Sequence, residues 1–404
     1  MYLSNGRCHL AIPGPSIVPD EVLQAMHIAS PNIYDGELIK VTESLFPDLK
    51  SVARTDGNVA IYTSNGHGAW EAALANMVSA QDLILVVATG HFAHGWAEMA
   101  IRLGINVEIV EFGNSSSIDP CILEEVVKKD KNKKIKAVLV THVDTSTSVM
   151  NDIVSVRKIL DLYNHPALIA VDCIASLGCD VFEMDAWGVD VMVSACQKGL
   201  MVPAGISFVF FNDKAKAIQR SLPNVSSYWD WLPRIEPENF YQYFCGTAPT
   251  HHIFGLRKSL DLILQEGLKN VWGRHRRLAE AIWAAVECWS HNHGVMEFNI
   301  KNPDHRSSAV TTLKLGKEYG KQLRNWTEKR AGLTLGIGLG MSSKTDPNSD
   351  GYFRLGHMGH VNATMILGAI GTIEAGLIAL KIPHGSSASQ MAAQKIASTT
   401  FPSL

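Results

Sequence analysis

From about residue 57 to residue 212 the chain alternates between two hydrophobic textures. Short, nearly continuous apolar runs occupy Val59–Thr63, Leu83–Thr89, Val107–Phe112, Ala137–Val143, Ala167–Ile174, Val189–Ala195 and Ser207–Phe211. Between them lie stretches with apolar positions three and four apart, such as Trp70, Ala73, Leu74 and Met77. The runs predict strands buried on both faces, and the spaced stretches predict helices. Strand–helix alternation of this kind predicts an α/β unit with a mostly parallel sheet.

After Gly255 the pattern changes. Leu256 to Cys288 predicts two long amphipathic helices with a break near Gly267, followed by a strand over Ala309–Leu315 and a helix over Tyr319–Arg330. A glycine-rich segment, Gly332–Gly340, comes next, and a last long helix covers about Ala363–Leu380. The expected organisation is an N-terminal segment 1–20, a large domain 21–255, a smaller α+β domain 256–382 and a tail 383–404. The tail's Gly385-Ser386-Ser387-Ala388-Ser389 predicts a linker into a loosely held helix.

The chain has 404 residues, 46% of them apolar, which allows a large core and more than one domain. A formal net charge of −3 gives no sign of the basic stripe of a nucleic-acid binder. The seven cysteines form no Cys-x-x-Cys pair, which argues against a zinc site or a disulfide framework and for a reducing compartment. Met1 to His9 lack a signal-peptide pattern, and no apolar run reaches membrane-spanning length. The expectation is a soluble cytoplasmic enzyme without a metal.

Two predicted strands end on charged groups, 172 and 198 in the runs Ala170-Val171-Asp172-Cys173 and Val193-Ser194-Ala195-Cys196-Gln197-Lys198. Ligands of open α/β sheets sit at the carboxyl ends of strands. An aldehyde cofactor needs a lysine that is often deprotonated, and an acid that keeps a pyridine nitrogen protonated. Asp172 and Lys198 supply that pair, although a salt bridge or two solvated loop charges fit the spacing as well.

The run Ser194-Ala195-Cys196-Gln197-Lys198-Gly199-Leu200-Met201-Val202-Pro203-Ala204-Gly205 resembles the lysine motif of class V aminotransferases. The match is best with the alanine–glyoxylate and serine–glyoxylate aminotransferase group. The resemblance runs from Ile12-Pro13-Gly14-Pro15 to the helix after Arg354. It implies fold type I, pyridoxal phosphate carried by Lys198 as a Schiff base, and a homodimer with shared active sites. Asn65, Gly66 and His67 match the family's phosphate loop. Phe92 matches an aromatic that stacks on the cofactor ring, and Ser146 a hydroxyl that bonds the ring oxygen. Gln197 is expected to reach the phosphate, Thr247 to reach the partner's phosphate, and Arg354 to clamp the substrate α-carboxylate.

The resemblance also shows departures. Asn65 stands in place of serine, Ser148 of glycine, Cys196 of serine, Ala204 of proline and Phe244 of tyrosine. The implied reaction moves an amino group from a small amino acid, alanine or serine, to an oxo acid such as glyoxylate or pyruvate. Lyases of the same fold, such as cysteine desulfurases or kynureninases, and transaminases with another donor remain alternatives. Cys245 and Cys288, the only cysteines after the lysine, suit a desulfurase nucleophile poorly. The run Leu335–Gly340 is a weak hint of a nicotinamide site, since it lacks a strand–turn–helix setting.

Overall fold

The computed structural model describes residues 3–316, 319–342 and 349–398. Strand β1 (His9–Ala11) and helices α1 (Asp20–Met26) and α2 (Glu37–Ala53) open the chain. Strand β2 (Asn58–Tyr62), helix α3 (Gly66–Met77), β3 (Leu83–Ala88), α4 (His91–Arg102), β4 (Asn106–Glu111) and α5 (Pro120–Lys129) follow. Then come β5 (Ile135–Thr141), α6 (Ile153–Leu162), β6 (Leu168–Asp172), β7 (Val191–Ala195) and β8 (Ser207–Phe211).

Strands β2 to β8 form one seven-stranded sheet in the order β2-β8-β7-β6-β5-β3-β4. Every pairing from β7 to β4 is parallel, and β8 alone runs antiparallel to its neighbours β7 and β2. Each of the seven apolar runs is a strand of this sheet. Alternate residues serve opposite faces, as the pleat requires. Leu85 and Val87 join the core that includes Leu45 and Leu49 of α2. Ile84 and Val86 join the core under Trp70 of α3 and Trp96 of α4. Burial on both faces makes the inner strands continuous in hydrophobicity rather than alternating; the edge strand β4 departs from the expectation, with Val110 its one buried residue.

The chain continues through α7 (Asp213–Ser221) and the short α8 (Leu232–Ile235) to α9 (Thr250–Glu266) and α10 (Leu268–Ser290), with the predicted break at Gly267. Strands β9 (Glu297–Phe298) and β10 (Val310–Lys314), helix α11 (Tyr319–Ala331), strands β11 (Leu333–Ile337) and β12 (Tyr352–Gly356), and helices α12 (Ala363–Ala379) and α13 (Ala388–Ala397) complete it. A second sheet has the order β1-β11-β12-β10-β9.

Three features differ from the pattern-based reading. The N-terminal segment is not separate, because β1 pairs in parallel with β11 at the edge of the second sheet. Helix α9 packs on the first core through Ile253, Leu256 and Leu260, so the change of core falls inside α10, between Val271 and Leu278. The tail helix is not loosely held: Ala388 and Ala392 of α13 are fully buried in the second core, and the Gly385 N–H donates to Trp289 O. Residues 399–404 of that expected tail lie outside the described residues.

Candidate active site

Strands β5, β6 and β7 run parallel, so their carboxyl ends open on one edge of the sheet. Asp172 is the last residue of β6, in register with Val193 of β7, and Lys198 follows three residues after β7 ends. Both line one cavity of about 250 Å3, together with Asn65, Gly66, His67, Phe92 and Gln197. Seven of the residues singled out in the sequence therefore meet at one place.

Lys198 is buried, and its Nζ donates to Pro13 O. The N-terminal segment grips it further: Ser16 Oγ donates to Lys198 O at 2.6 Å, and Ser16 N to Gln197 O at 2.9 Å. Gly14 has φ +97°, and a Cβ there would lie 2.4 Å from Lys198 Cδ, so the segment passes this close only as glycine. Burial, helped by the nearby Arg354 charge, lowers the Lys198 amine to about 8. A lysine lowered this far is neutral far more often near neutral pH than an ordinary one.

Asp172 sits at the cavity with both carboxylate oxygens engaged. Oδ1 accepts from Ile174 N at 2.7 Å, and Oδ2 from the Trp70 indole N–H at 2.9 Å. Burial raises its pKa to about 7, against the downward pull of these two donors.

Helix α3 points its N-terminus at the cavity, where its dipole favours an anion. Asn65 caps it, its side-chain oxygen accepting from His67 N and Gly68 N. The serine-to-asparagine departure thus keeps a capping residue. A Cβ on Gly66 would meet Ile174 Cδ1 at 2.4 Å, so a larger residue there must push aside the tip of the Ile174 side chain. Gln197 lines the cavity, and its Oε1 is buried without a partner among the described residues. A half-turn of the carboxamide exchanges donor for acceptor, so this group is unspent toward a ligand.

Ser146, Thr247 and Arg354 do not line the cavity. The Ser146 hydroxyl is fully buried and bonds Asp144 Oδ1 at 2.5 Å, while its neighbour Thr145 lines the cavity. Thr247 is exposed on the surface of its own chain. Arg354, on β12, lies one layer back and donates from Nη1 to Thr145 O at 2.8 Å and from Nε to Ile337 O at 2.6 Å. It is 6% exposed, and among the described residues no carboxylate pairs with it. Burial lowers its pKa only to about 10, so it stays charged. Cys196 turns away, its Sγ donating to Pro203 O.

Two site residues escaped the sequence reading. Trp70 looked like one more apolar position of α3. Asp144 organises the rim by accepting from Phe92 N at 2.9 Å and Ser146 N at 2.8 Å. A strand-end carboxylate beyond β5 is the same signal that picked Asp172. The glycine run 335–340 offers no dinucleotide turn, because β11 crosses it as a sheet strand antiparallel to β12.

A mostly parallel seven-stranded sheet with one reversed strand, joined to a second α+β unit, is the fold-type-I architecture of pyridoxal-phosphate-dependent transferases. More narrowly, the chain belongs to the class-V aminotransferase family, whose model matches residues 48–333. It is 36% identical to a serine–glyoxylate aminotransferase of Methylorubrum extorquens, over 94% of each chain. It is 32% identical to an L-aspartate–glyoxylate aminotransferase of Paracoccus denitrificans, over 95% of this chain and 94% of that one. The crystal structure of a ureidoglycine–glyoxylate aminotransferase from Bacillus subtilis superimposes with a TM-score of 0.85 at 22% identity, covering 97% and 99% of the two chains, a likeness of fold. Among the described residues no helix is long and apolar enough to cross a membrane.

Proposed function

We propose that this aminotransferase binds pyridoxal phosphate at Lys198 and moves an amino group from a small amino acid, serine or alanine, to glyoxylate. The observation that carries the reading is the convergence of buried Lys198 and Asp172, from adjacent parallel strands, on one cavity. Support for the acceptor comes from the names of the three proteins above, which differ in the amino donor and share glyoxylate. The residues present fit the cofactor. The α3 N-terminus and unspent Gln197 suit a phosphate, Phe92 offers a ring face, and Asp172 would pair with a protonated ring nitrogen.

Bound pyridoxal phosphate supplies an aldehyde carbon that takes up an amine and a protonated ring that withdraws electrons from the substrate Cα. The chain's residues do the rest. Lys198, its amine lowered by burial, would take the proton from the substrate Cα as general base and deliver it as general acid to the cofactor's aldehyde-derived carbon. Asp172 holds the proton at the ring nitrogen. Arg354, one layer behind the cavity and held there by Thr145 O and Ile337 O, would have to release those carbonyls to bind the α-carboxylate shared by amino and oxo acids, a role its planar fork suits. The proposed assembly is a homodimer in which exposed Thr247 reaches the phosphate of the partner subunit. A soluble cytoplasmic setting is part of the same proposal.

Arg354→Lys tests the clamp. Lysine keeps the charge and loses the fork, so half-reactions with serine, alanine and glyoxylate should all weaken by about 1.5–3 kcal/mol, the range of hydrogen bonds to charged groups. Cofactor affinity should stay nearly unchanged. Intact half-reactions with weakened cofactor binding would make Arg354 structural instead.

A further inference from the structure

We propose that Trp70 is a positioning residue whose indole N–H keeps the Asp172 carboxylate ionised and turned toward the cavity. The inference rests on the pyridoxal phosphate reading above and adds a residue to it. The Trp70 Nε1–Asp172 Oδ2 bond measures 2.9 Å, and both groups are almost wholly buried. A buried carboxylate without donors takes up a proton. An indole N–H donates and never accepts, so Oδ2 must be the acceptor. With Ile174 N on Oδ1, each oxygen has one donor and one lone pair left for a ring N–H in the cavity.

Among the described residues a second indole, that of half-buried Trp229, donates to a carboxylate, Glu71 Oε1 at 3.0 Å, but only Trp70 reaches one at the cavity. The indole nitrogens of Trp96, Trp231 and Trp289 are also buried, and they have no partner among the described residues. Burial of an indole therefore does not by itself deliver a carboxylate to it. The ring is also fixed in place. Trp96 stacks on one side with centroids 5.9 Å apart and an interplanar angle of 13°, and His67 lies 4.6 Å away. Gly95 of α4 passes close to the ring, where a Cβ would lie 3.3 Å from Trp70 Cζ3. Phe92, the proposed stacking partner of the cofactor, meets the same indole edge-on at 6.3 Å. One side chain thus braces two of the groups that would hold the ring.

The charged groups acting on Asp172 come from three elements. Lys198 beyond β7 favours its ionised form, and Asp144 beyond β5 opposes it. On α3 itself, His67 is held toward its neutral form by burial and by His91. Burial is the largest influence and disfavours the charge; the Ile174 N–H and then the Trp70 N–H oppose it, so loss of the Trp70 donor leaves Asp172 protonated at higher pH.

The test has a cofactor-free arm and a cofactor arm. In cofactor-free protein carrying 15N in the indoles of its nine tryptophans, the Trp70 signal is the one missing from Trp70→Phe. Asp172→Asn should move that signal strongly, and an unmoved signal overturns the contact. In the second arm, pyridoxal phosphate affinity is measured from pH 5 to 9. In Trp70→Phe the acid-side loss of affinity should begin about one pH unit higher than in the wild type, and Trp70→His, which restores an N–H, should bring it part of the way back. A uniform loss across the pH range, or no rescue, assigns Trp70 to packing alone and overturns the proposal. If the wild type binds no pyridoxal phosphate at all, the functional reading falls, while the indole signal still decides the contact.

Discussion

Lys198→Ala should lower transamination between serine and glyoxylate by about 10³-fold or more, the upper part of the range for removing a general acid–base group. The loss should appear in single-turnover half-reactions, where binding and product release do not mask it. Small primary amines added to the solution should restore part of the rate, because the missing group is an amine that shuttles a proton. Packing predicts that the variant folds. Lys198 is buried, and among the described residues its amine bonds Pro13 O alone. Loss of a desolvated amine is therefore offset by relief of its burial, and the melting temperature should change little. A half-reaction rate within tenfold of the wild type would remove Lys198 from the chemistry.

Asp172→Asn should slow the same half-reactions by about 10²–10³-fold, the cost typical of removing one preorganised electrostatic contact. Its structural side effect can be stated in advance. Asparagine has one acceptor oxygen where Asp172 has two, both in use. Either Trp70 or Ile174 must then face an NH2 group, which costs about 1–3 kcal/mol of stability for the orphaned donor. Urea unfolding measures that cost, and cofactor-loaded protein below its unfolding range isolates the effect on chemistry. Asp172→Glu keeps the charge and lengthens the arm, so it should recover more rate than Asp172→Asn. Near-normal turnover by loaded Asp172→Asn would show that the ring nitrogen needs no acid here.

The large sheet was legible because its inner strands are buried on both faces, so their apolar runs stand out against the helices between them. The Lys198–Asp172 pair was legible for a related reason: a charge that ends such a run is either paired or functional. Strand β11 was not legible. Its residues, Leu-Thr-Leu-Gly-Ile, sit in a glycine-rich stretch of low strand propensity, and it forms because β1 and β12 flank it. The three residues of β1 carry too little pattern to predict that pairing. Trp70 stayed hidden because its role lies in one N–H, whose partner comes from 102 residues away. Ser146 and Thr145 show the limit of a motif at a tight turn, since the structure turns Thr145 rather than Ser146 to the cavity. The role proposed for Thr247 depends on a second chain, which no single sequence displays.

The central claim is that Lys198 carries the cofactor through its side-chain nitrogen. Protein loaded with pyridoxal phosphate, reduced with borohydride, digested and mapped by mass spectrometry tests it directly. The expected result is one pyridoxyl-phosphate group per chain, on the peptide containing Gln197-Lys198-Gly199. Label on any other lysine, or none above the level found in Lys198→Ala, would contradict it.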